Sequence, residues 1–241
     1  MYKLQDKKII FDDGNLFRYL PRLGDGSHSD VYKFRIGNEI YALKIYNGIY
    51  KEDFENIERK LDINIDSYIS PIKLIYVRDK FQGYMMKYCQ GKDLEKRRRL
   101  DISIDEFAES SVKLFDDTKK LSELGYNIFD SYISNVMYHN GFKMIDMDEY
   151  FYRKYKTYEE IEAENNQRLN QMLVDVFINS TDLASVFFQN VDLKRIMASC
   201  TSGKITFEEL FNEICMMAYN VANEELVNIS DVGKVLRKYK K

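Results

Sequence analysis

The 241-residue sequence has no tryptophan, two prolines, two histidines and three cysteines. Cys89, Cys200 and Cys215 are odd in number and form no Cys-x-x-Cys, which excludes a disulfide framework and a cysteine-built zinc site and suits a reduced, cytosolic setting. His28 and His139 lie far apart, leaving little material for a histidine metal centre or a Ser-His-Asp triad. No proline follows Pro71, so the rest of the chain has no proline punctuation. Long apolar runs are missing too: no stretch approaches the ~18 residues that a membrane span needs. The opening "MYKLQDKKIIFDDGNLF" lacks the apolar run of a signal peptide. A cytoplasmic protein with no membrane partner is expected, and a secreted bacterial effector without a cleavable signal stays open. Charge of one sign is lacking as well. The net charge of −3 does not suit a dedicated nucleic-acid binder, so no nucleic-acid partner is expected. Two short basic clusters, Lys96-Arg97-Arg98-Arg99 and Arg237-Lys238-Tyr239-Lys240-Lys241, read as solvated faces or ends.

What is present changes character near residue 100. Before it, short runs rich in Tyr, Ile, Val and Phe alternate with turn residues, as strands do. "VYKFRI" and "IYALKIY" flank Gly37-Asn38-Glu39, and "IKLIYV" and "YMMKY" flank Arg78 to Gly83; both read as hairpins. "FRYL" reads as a further strand. One helix interrupts them, "KEDFENIERKL", with Phe54, Ile57 and Leu61 at helical spacing.

After residue 100 helices dominate. Ser103-x-x-Glu106, Thr157-x-x-Glu160 and Thr206-x-x-Glu209 read as capping boxes, in which hydroxyl and carboxylate satisfy free backbone N–H groups. The first opens a helix that turns Ile104, Phe107, Ala108, Leu114, Leu121 and Leu124 inward and stops at Gly125. In a later helix, "YEEIEAENNQRLNQMLVDVF", the inward stripe is Leu169, Met172, Leu173, Val176 and Phe177. Between them "NVMY" and "FKMID" flank His139-Asn140-Gly141, a strong hairpin signal. The expectation is an α+β protein of two lobes in one domain. Residues 1–90 make an antiparallel sheet with one helix near 51–63, and residues 91–241 are mostly helical with a small hairpin.

The stretch "LGDGSHSDVYKF" has two glycines one residue apart, then a serine. It lies between strand candidates, which argues against a Rossmann or Walker loop, since both lead into a helix. A glycine-rich β-turn over phosphates is the remaining functional option beside an ordinary turn. In "YALKIY" the period of two puts Ala42 and Lys44 on one face of the strand, and Leu43 and Ile45 on the other. A lysine on a buried strand needs a partner. Glu58 lies beside the apolar stripe of the following helix and is the expected one, with Glu55 as the fallback. Further on, Asp130 precedes Asn135 by five, and Asp146 ends the second strand of the Asn-Gly hairpin. Asn and Asp oxygens suit Mg²⁺, which takes few protein ligands and adds phosphate oxygens. Asp130 suits the deprotonation of a hydroxyl.

In this order the residues resemble the protein kinases, over about residues 20 to 150. "LGDGSHSDVY" is similar to the kinase glycine loop, with Gly24 and Gly26 as its first two glycines, Ser29 in place of the third and Val31 over adenine. "YALK" is similar to V-A-I-K, which implies that Lys44 holds the α- and β-phosphates with Glu58 as its helix partner. "MMKYCQGKDL" resembles the hinge, where backbone atoms of Lys87 and Cys89 bond adenine and Met86 backs the pocket. Asp130 and Asn135 match the catalytic aspartate and magnesium-binding asparagine, Asp146 matches the aspartate of D-F-G, and Met137 lies beneath the adenine. The resemblance implies a two-lobed kinase-like fold, ATP and Mg²⁺ as cofactors, and phosphoryl transfer to Ser or Thr of a protein.

The departures are specific. Ile128 and Phe129 replace the His and Arg before the catalytic aspartate, so control through a phosphorylated activation loop looks missing. Tyr132 stands where Ser/Thr kinases carry a lysine. "DMD" replaces D-F-G, so Asp148 sits where glycine is expected and reads as a solvated turn, ahead of an extra carboxylate near the metals. There is no A-P-E. Aminoglycoside and choline-type kinases share the D-x-x-x-x-N pattern and a similar metal motif. A small-alcohol substrate, a pseudokinase and transfer of AMP therefore stay open beside the protein-kinase reading.

Overall fold

The structure, a computed structural model, describes all residues except 27, 49, 50, 95–99, 101, 188, 189, 223, 224 and 239–241. The Lys96–Arg99 cluster and the last three residues of the basic tail lie outside the described residues. The chain divides into two compact units, residues 1–90 with 146–148, and residues 91–145 with 149–241.

The first unit is a seven-stranded sheet with one α-helix. Its strands are β1 (Tyr2–Leu4), β2 (Lys8–Phe11), β3 (Arg22–Asp25), β4 (Ser29–Ile36), β5 (Glu39–Tyr46), β6 (Pro71–Val77) and β7 (Lys80–Lys87), and α1 spans Lys51–Glu58. The spatial order is β1-β2-β6-β7-β5-β4-β3. Both expected hairpins form, each closed by a residue at positive φ, Gly37 at 59° and Arg78 at 55°. The sheet is not purely antiparallel, because β2 pairs with β6 in parallel. "FRYL" is not a strand either. Asp13 caps a short 3-10 helix, Gly14–Tyr19, by accepting from the Asn15 N–H, and that local bond outweighs the strand preference of the aromatic residues.

The second hairpin is tighter than its sequence suggests. Val77 pairs with Lys80, so Gly83 is not in the turn but inside β7, opposite Ile45 and Ile75. A Cβ there would lie 1.9 Å from the carbonyl oxygen of Lys44, so the glycine permits close approach of two backbones.

The period of two along β5 divides its side chains as expected. Leu43 and Ile45 join Ile9, Phe11, Phe34 and Met85 on one face, while Ala42 joins Ile57, Leu74, Tyr84 and Met86 on the other. Phe54 and Leu61 pack against the second cluster, which fixes α1 there by the stripe that the sequence shows. Each of these large side chains contributes about 1.5–3 kcal/mol by leaving water.

The second unit holds β8 (Lys92–Asp93), α2 (Ile104–Glu123), β9 (Tyr126–Asn127), β10 (Val136–Tyr138), β11 (Phe142–Met144), β12 (Phe151–Tyr152), α3 (Tyr158–Thr181), α4 (Ala184–Phe187), α5 (Val191–Thr201), α6 (Phe207–Val221) and α7 (Ile229–Lys238). Full capping boxes open α3 and α6. At α2 only half the box forms: Ser103 accepts from the Glu106 N–H, while the Glu106 carboxylate takes the Tyr138 hydroxyl. Phe107 of α2 stacks on Phe211 of α6 at 5.4 Å and meets Phe177 of α3 edge-on, forming the aromatic centre of the unit. Leu124 is exposed, contrary to its expected inward place, because α2 ends at Glu123 and Gly125 turns the chain at φ 82°. All five residues of the α3 stripe are buried. Gly233 of α7 sits so close to the end of α3 that a Cβ would come within 1.8 Å of the Thr181 carbonyl oxygen. Among the described residues no helix is long and apolar enough to cross a membrane.

Candidate functional site

In the sheet unit the candidate site is built on the middle of β5. Lys44 lies on a strand flanked on both sides, by β4 and β7, so its side chain is 8% exposed and surrounded by protein. It forms ion pairs with Asp146 and with Asp148, the latter at 2.8 Å. Burial pulls the Lys44 ammonium towards neutrality, but the charges of Asp148 and then Asp146 more than offset it and leave its pKa above the ordinary lysine value. The lysine is therefore a fixed positive charge.

The expected partner was a helix glutamate, and the structure corrects this. Glu58 is exposed, and its charge acts on Lys7 and Tyr76. Glu55 is exposed too and makes no pair with Lys44. The stripe that buries Ile57 leaves both carboxylates on the water side of α1.

Asp148 is a second correction. It is not a solvated turn: its side chain is 16% exposed and receives hydroxyls from Tyr46 at 2.6 Å and Tyr84 at 2.5 Å, besides the Lys44 ammonium. Burial, followed by the charge of Asp148, raises the Tyr84 pKa well above the usual tyrosine value, so Tyr84 stays a donor. The backbone of residues 147 and 148 is held as firmly. Lys60, fully buried, donates to the carbonyls of Met147 at 2.5 Å and Asp148 at 3.0 Å, and Asn56 donates to the Asp148 carbonyl at 2.7 Å. Asp146 itself has φ 62°, a left-handed conformation that aspartate tolerates better than most residues.

The proposed nucleotide-binding positions in this unit are laid out on the same sheet. Gly24 pairs with Val31, and the Gly26 N–H bonds the Ser29 carbonyl at 2.8 Å, which closes the glycine turn. Ser29 is buried, Ala42 pairs across strands with Met86, and Val31 packs on their cluster. Lys87 ends β7 opposite Tyr41, and Cys89 follows, half-buried.

In the helical unit Asp130 and Asn135 meet. The Asn135 side-chain amide donates to Asp130 Oδ2 at 2.8 Å and to its carbonyl at 3.3 Å. The hairpin of β10 and β11 is in the expected register, Val136 with Met144 and Tyr138 with Phe142, and Met137 pairs with Lys143 and Asp93. One more bond, from the Ile145 N–H to the Asn135 carbonyl, closes the strands one residue before Asp146. The approach to Asp130 is set by Asn165, a fully buried amide on α3. It accepts from the Ile128 N–H at 2.7 Å and the Asn127 amide at 3.1 Å, and donates to Ser122 and to the Tyr126 carbonyl, both at 2.9 Å. All four of its bonding positions are used. Nothing in the sequence around Asn165 marks it, whereas the second aspartate of "DMD" was a visible signal.

Among the described residues no three His, Cys, Asp or Glu gather as a metal cage. Within the sheet unit Asp146 keeps a carboxylate 36% exposed, and within the helical unit Asn135 donates to Asp130 through its NH₂. The sequence matches no model of a known protein family, and a search of curated proteins finds no match.

Proposed function

We propose that this chain is an ATP- and Mg²⁺-dependent phosphotransferase with a protein-kinase-like fold, acting on a Ser or Thr hydroxyl of a protein. The observation that carries the reading is the ion pair of Lys44 with Asp146. The sequence pattern assigns these two residues separately, one to phosphates and one to metal, and they meet although they are 102 residues apart. A buried cation tied to a partly exposed carboxylate is the arrangement that nucleotide phosphates and their counter-ion need.

In this reading the Gly24–Gly26 turn offers backbone N–H groups to the phosphates, and Val31, Ala42 and Met86 enclose the adenine, whose edge bonds the backbone of Lys87 and Cys89. Lys44 neutralises the α- and β-phosphates. Asp146 and Asn135 are the residues that would hold Mg²⁺, which would supply charge neutralisation to the transferred group. Asp130 Oδ2 accepts from Asn135, which leaves Oδ1 for the acceptor hydroxyl. Asp130 takes the hydroxyl proton, the acceptor oxygen bonds the γ-phosphorus, the bond from that phosphorus to the β-γ bridging oxygen breaks, and ADP leaves.

The test is the intact mass of the chain, and of a mixture of candidate proteins, after incubation with ATP and Mg²⁺. Addition of phosphate that stops when the metal is chelated is expected. Addition of AMP instead would move the chemistry to nucleotidyl transfer, and no addition to any protein would contradict the proposal.

A further inference from the structure

Beside Asp130, within the helical unit, exposed aromatic rings are interleaved with cations. Phe129 immediately before it is 51% exposed and Tyr132, two residues after, is 69% exposed. The Phe129 ring meets that of Phe151 at 6.2 Å, and pairing of β12 with β9 holds Phe151 in place. The Arg168 guanidinium lies 5.0 Å from the Phe129 ring centre and donates to the Phe129 carbonyl at 3.0 Å. Arg153 lies 5.8 Å from the Phe151 ring centre, and Lys154 follows it.

Single exposed aromatics are ordinary; here two are joined, next in sequence to a candidate catalytic group. The charges say what kind. Among the described residues Arg153, Lys154 and Arg168 have no carboxylate partner. Of the carboxylates on α3, Glu164 pairs with Lys156 and Glu160 closes the capping box, while Glu159 and Glu162 lie beside Tyr158. The Arg153 Nε is buried without a hydrogen-bond acceptor.

We propose that this surface receives an acidic segment of a polypeptide that carries the acceptor hydroxyl. Its carboxylates meet Arg153, Lys154 and Arg168, and its apolar side chains lie on Phe129 and Phe151. The role as acceptor site rests on the phosphotransferase reading; the binding surface does not. A cationic small alcohol would meet like charge here. A nucleic acid needs a longer row of phosphate-contacting cations than these three, and the net charge of −3 opposes it.

The test uses the full chain and fluorescence anisotropy with three labelled probes: a peptide with serine flanked by Glu and Phe, its counterpart with Lys for Glu, and oligo-uridine. The same peptides are then assayed for phosphate transfer from ATP. The acidic peptide is expected to bind at least tenfold tighter than the basic one, with a gap that narrows as salt rises. Lys154→Glu, a change at an exposed position, should shrink that gap several-fold, and Arg153→Glu with Lys154→Glu should erase it at an unchanged circular dichroism spectrum. Equal or tighter binding of the basic peptide, or tighter binding of oligo-uridine, overturns the proposal. Acidic-peptide binding without transfer upholds the surface and overturns the phosphotransferase reading instead.

Discussion

Asp148 holds Lys44 at 2.8 Å with a carboxylate that two tyrosine hydroxyls also address. The lysine is thus positioned by a residue beyond the hairpin, not by the helix α1 that packs on the same sheet. A glutamate on a helix can swing away with the helix. Asp148 is fixed through its side chain by Tyr46 and Tyr84 and through its carbonyl by Lys60 and Asn56.

Asp148→Ala should therefore cost far more than Glu58→Gln. It leaves the buried Tyr84 hydroxyl without its acceptor and removes one of the two charges on Lys44. A loss of about 2–4 kcal/mol in chemical denaturation is expected, with phosphate transfer lowered at least tenfold. Glu58→Gln, on an exposed position, should change stability by about 0.5 kcal/mol or less. The reverse order would show that the helix glutamate positions the lysine.

Lys44 has its pKa above the ordinary lysine value, so its contribution to stability is fully present below the unfolded value of about 10.4 and is lost only as pH rises through the folded value. The stability difference between the wild type and Lys44→Met should accordingly be flat from about pH 6 to about pH 9. A difference that fades within that range would mean that Lys44 is not held charged.

Asn165→Leu keeps the bulk of the buried side chain and removes four hydrogen bonds. It leaves the Ile128 N–H and the Tyr126 carbonyl without their partner, so a loss of about 2–4 kcal/mol is expected. Transfer should fall further than ATP affinity, because Asn165 sets the path to Asp130 and has no part in holding the nucleotide. Equal loss of both would mean general unfolding, which the denaturation curve would register.

Burial pushes the Cys200 thiol up to about 11 and the Cys215 thiol up to about 12, so both are poor nucleophiles near neutral pH. Cys89 is half-buried. Brief alkylation of the native protein, followed by peptide mass mapping, should label Cys89 first, and saturating ATP should slow that labelling severalfold. Unchanged labelling of Cys89 with ATP would remove the hinge assignment.

Much of the fold was legible because local chemistry and tertiary packing agree. The β4–β5 and Asn-Gly hairpins each combine a period of two with a turn residue that only one register satisfies, and the α3 stripe follows the helical period behind a capping box. "FRYL" was misread because an aspartate two residues before Asn15 caps a short helix, a local hydrogen bond that strand propensity does not weigh. The parallel β2–β6 pair joins segments far apart in the chain, and no pattern in "KIIF" states which edge it takes. At the candidate site Lys44, Asp130, Asn135 and Asp146 stand out because charged and amide groups fall next to apolar strands. The partner of Lys44 was misassigned because a helical wheel ranks only residues on the helix. Asp148 enters from another part of the chain, and its burial depends on two tyrosines whose hydroxyls are silent in sequence.

The central claim, that Lys44 and Asp146 serve ATP and a divalent cation, is tested most directly by titration calorimetry of ATP into the wild type and Asp146→Ala, with Mg²⁺ and with a chelator. The wild type should bind ATP at least tenfold tighter with Mg²⁺ than without it, and Asp146→Ala should lose that difference while remaining folded. Wild-type binding that is absent, or equal with and without the metal, would contradict the account.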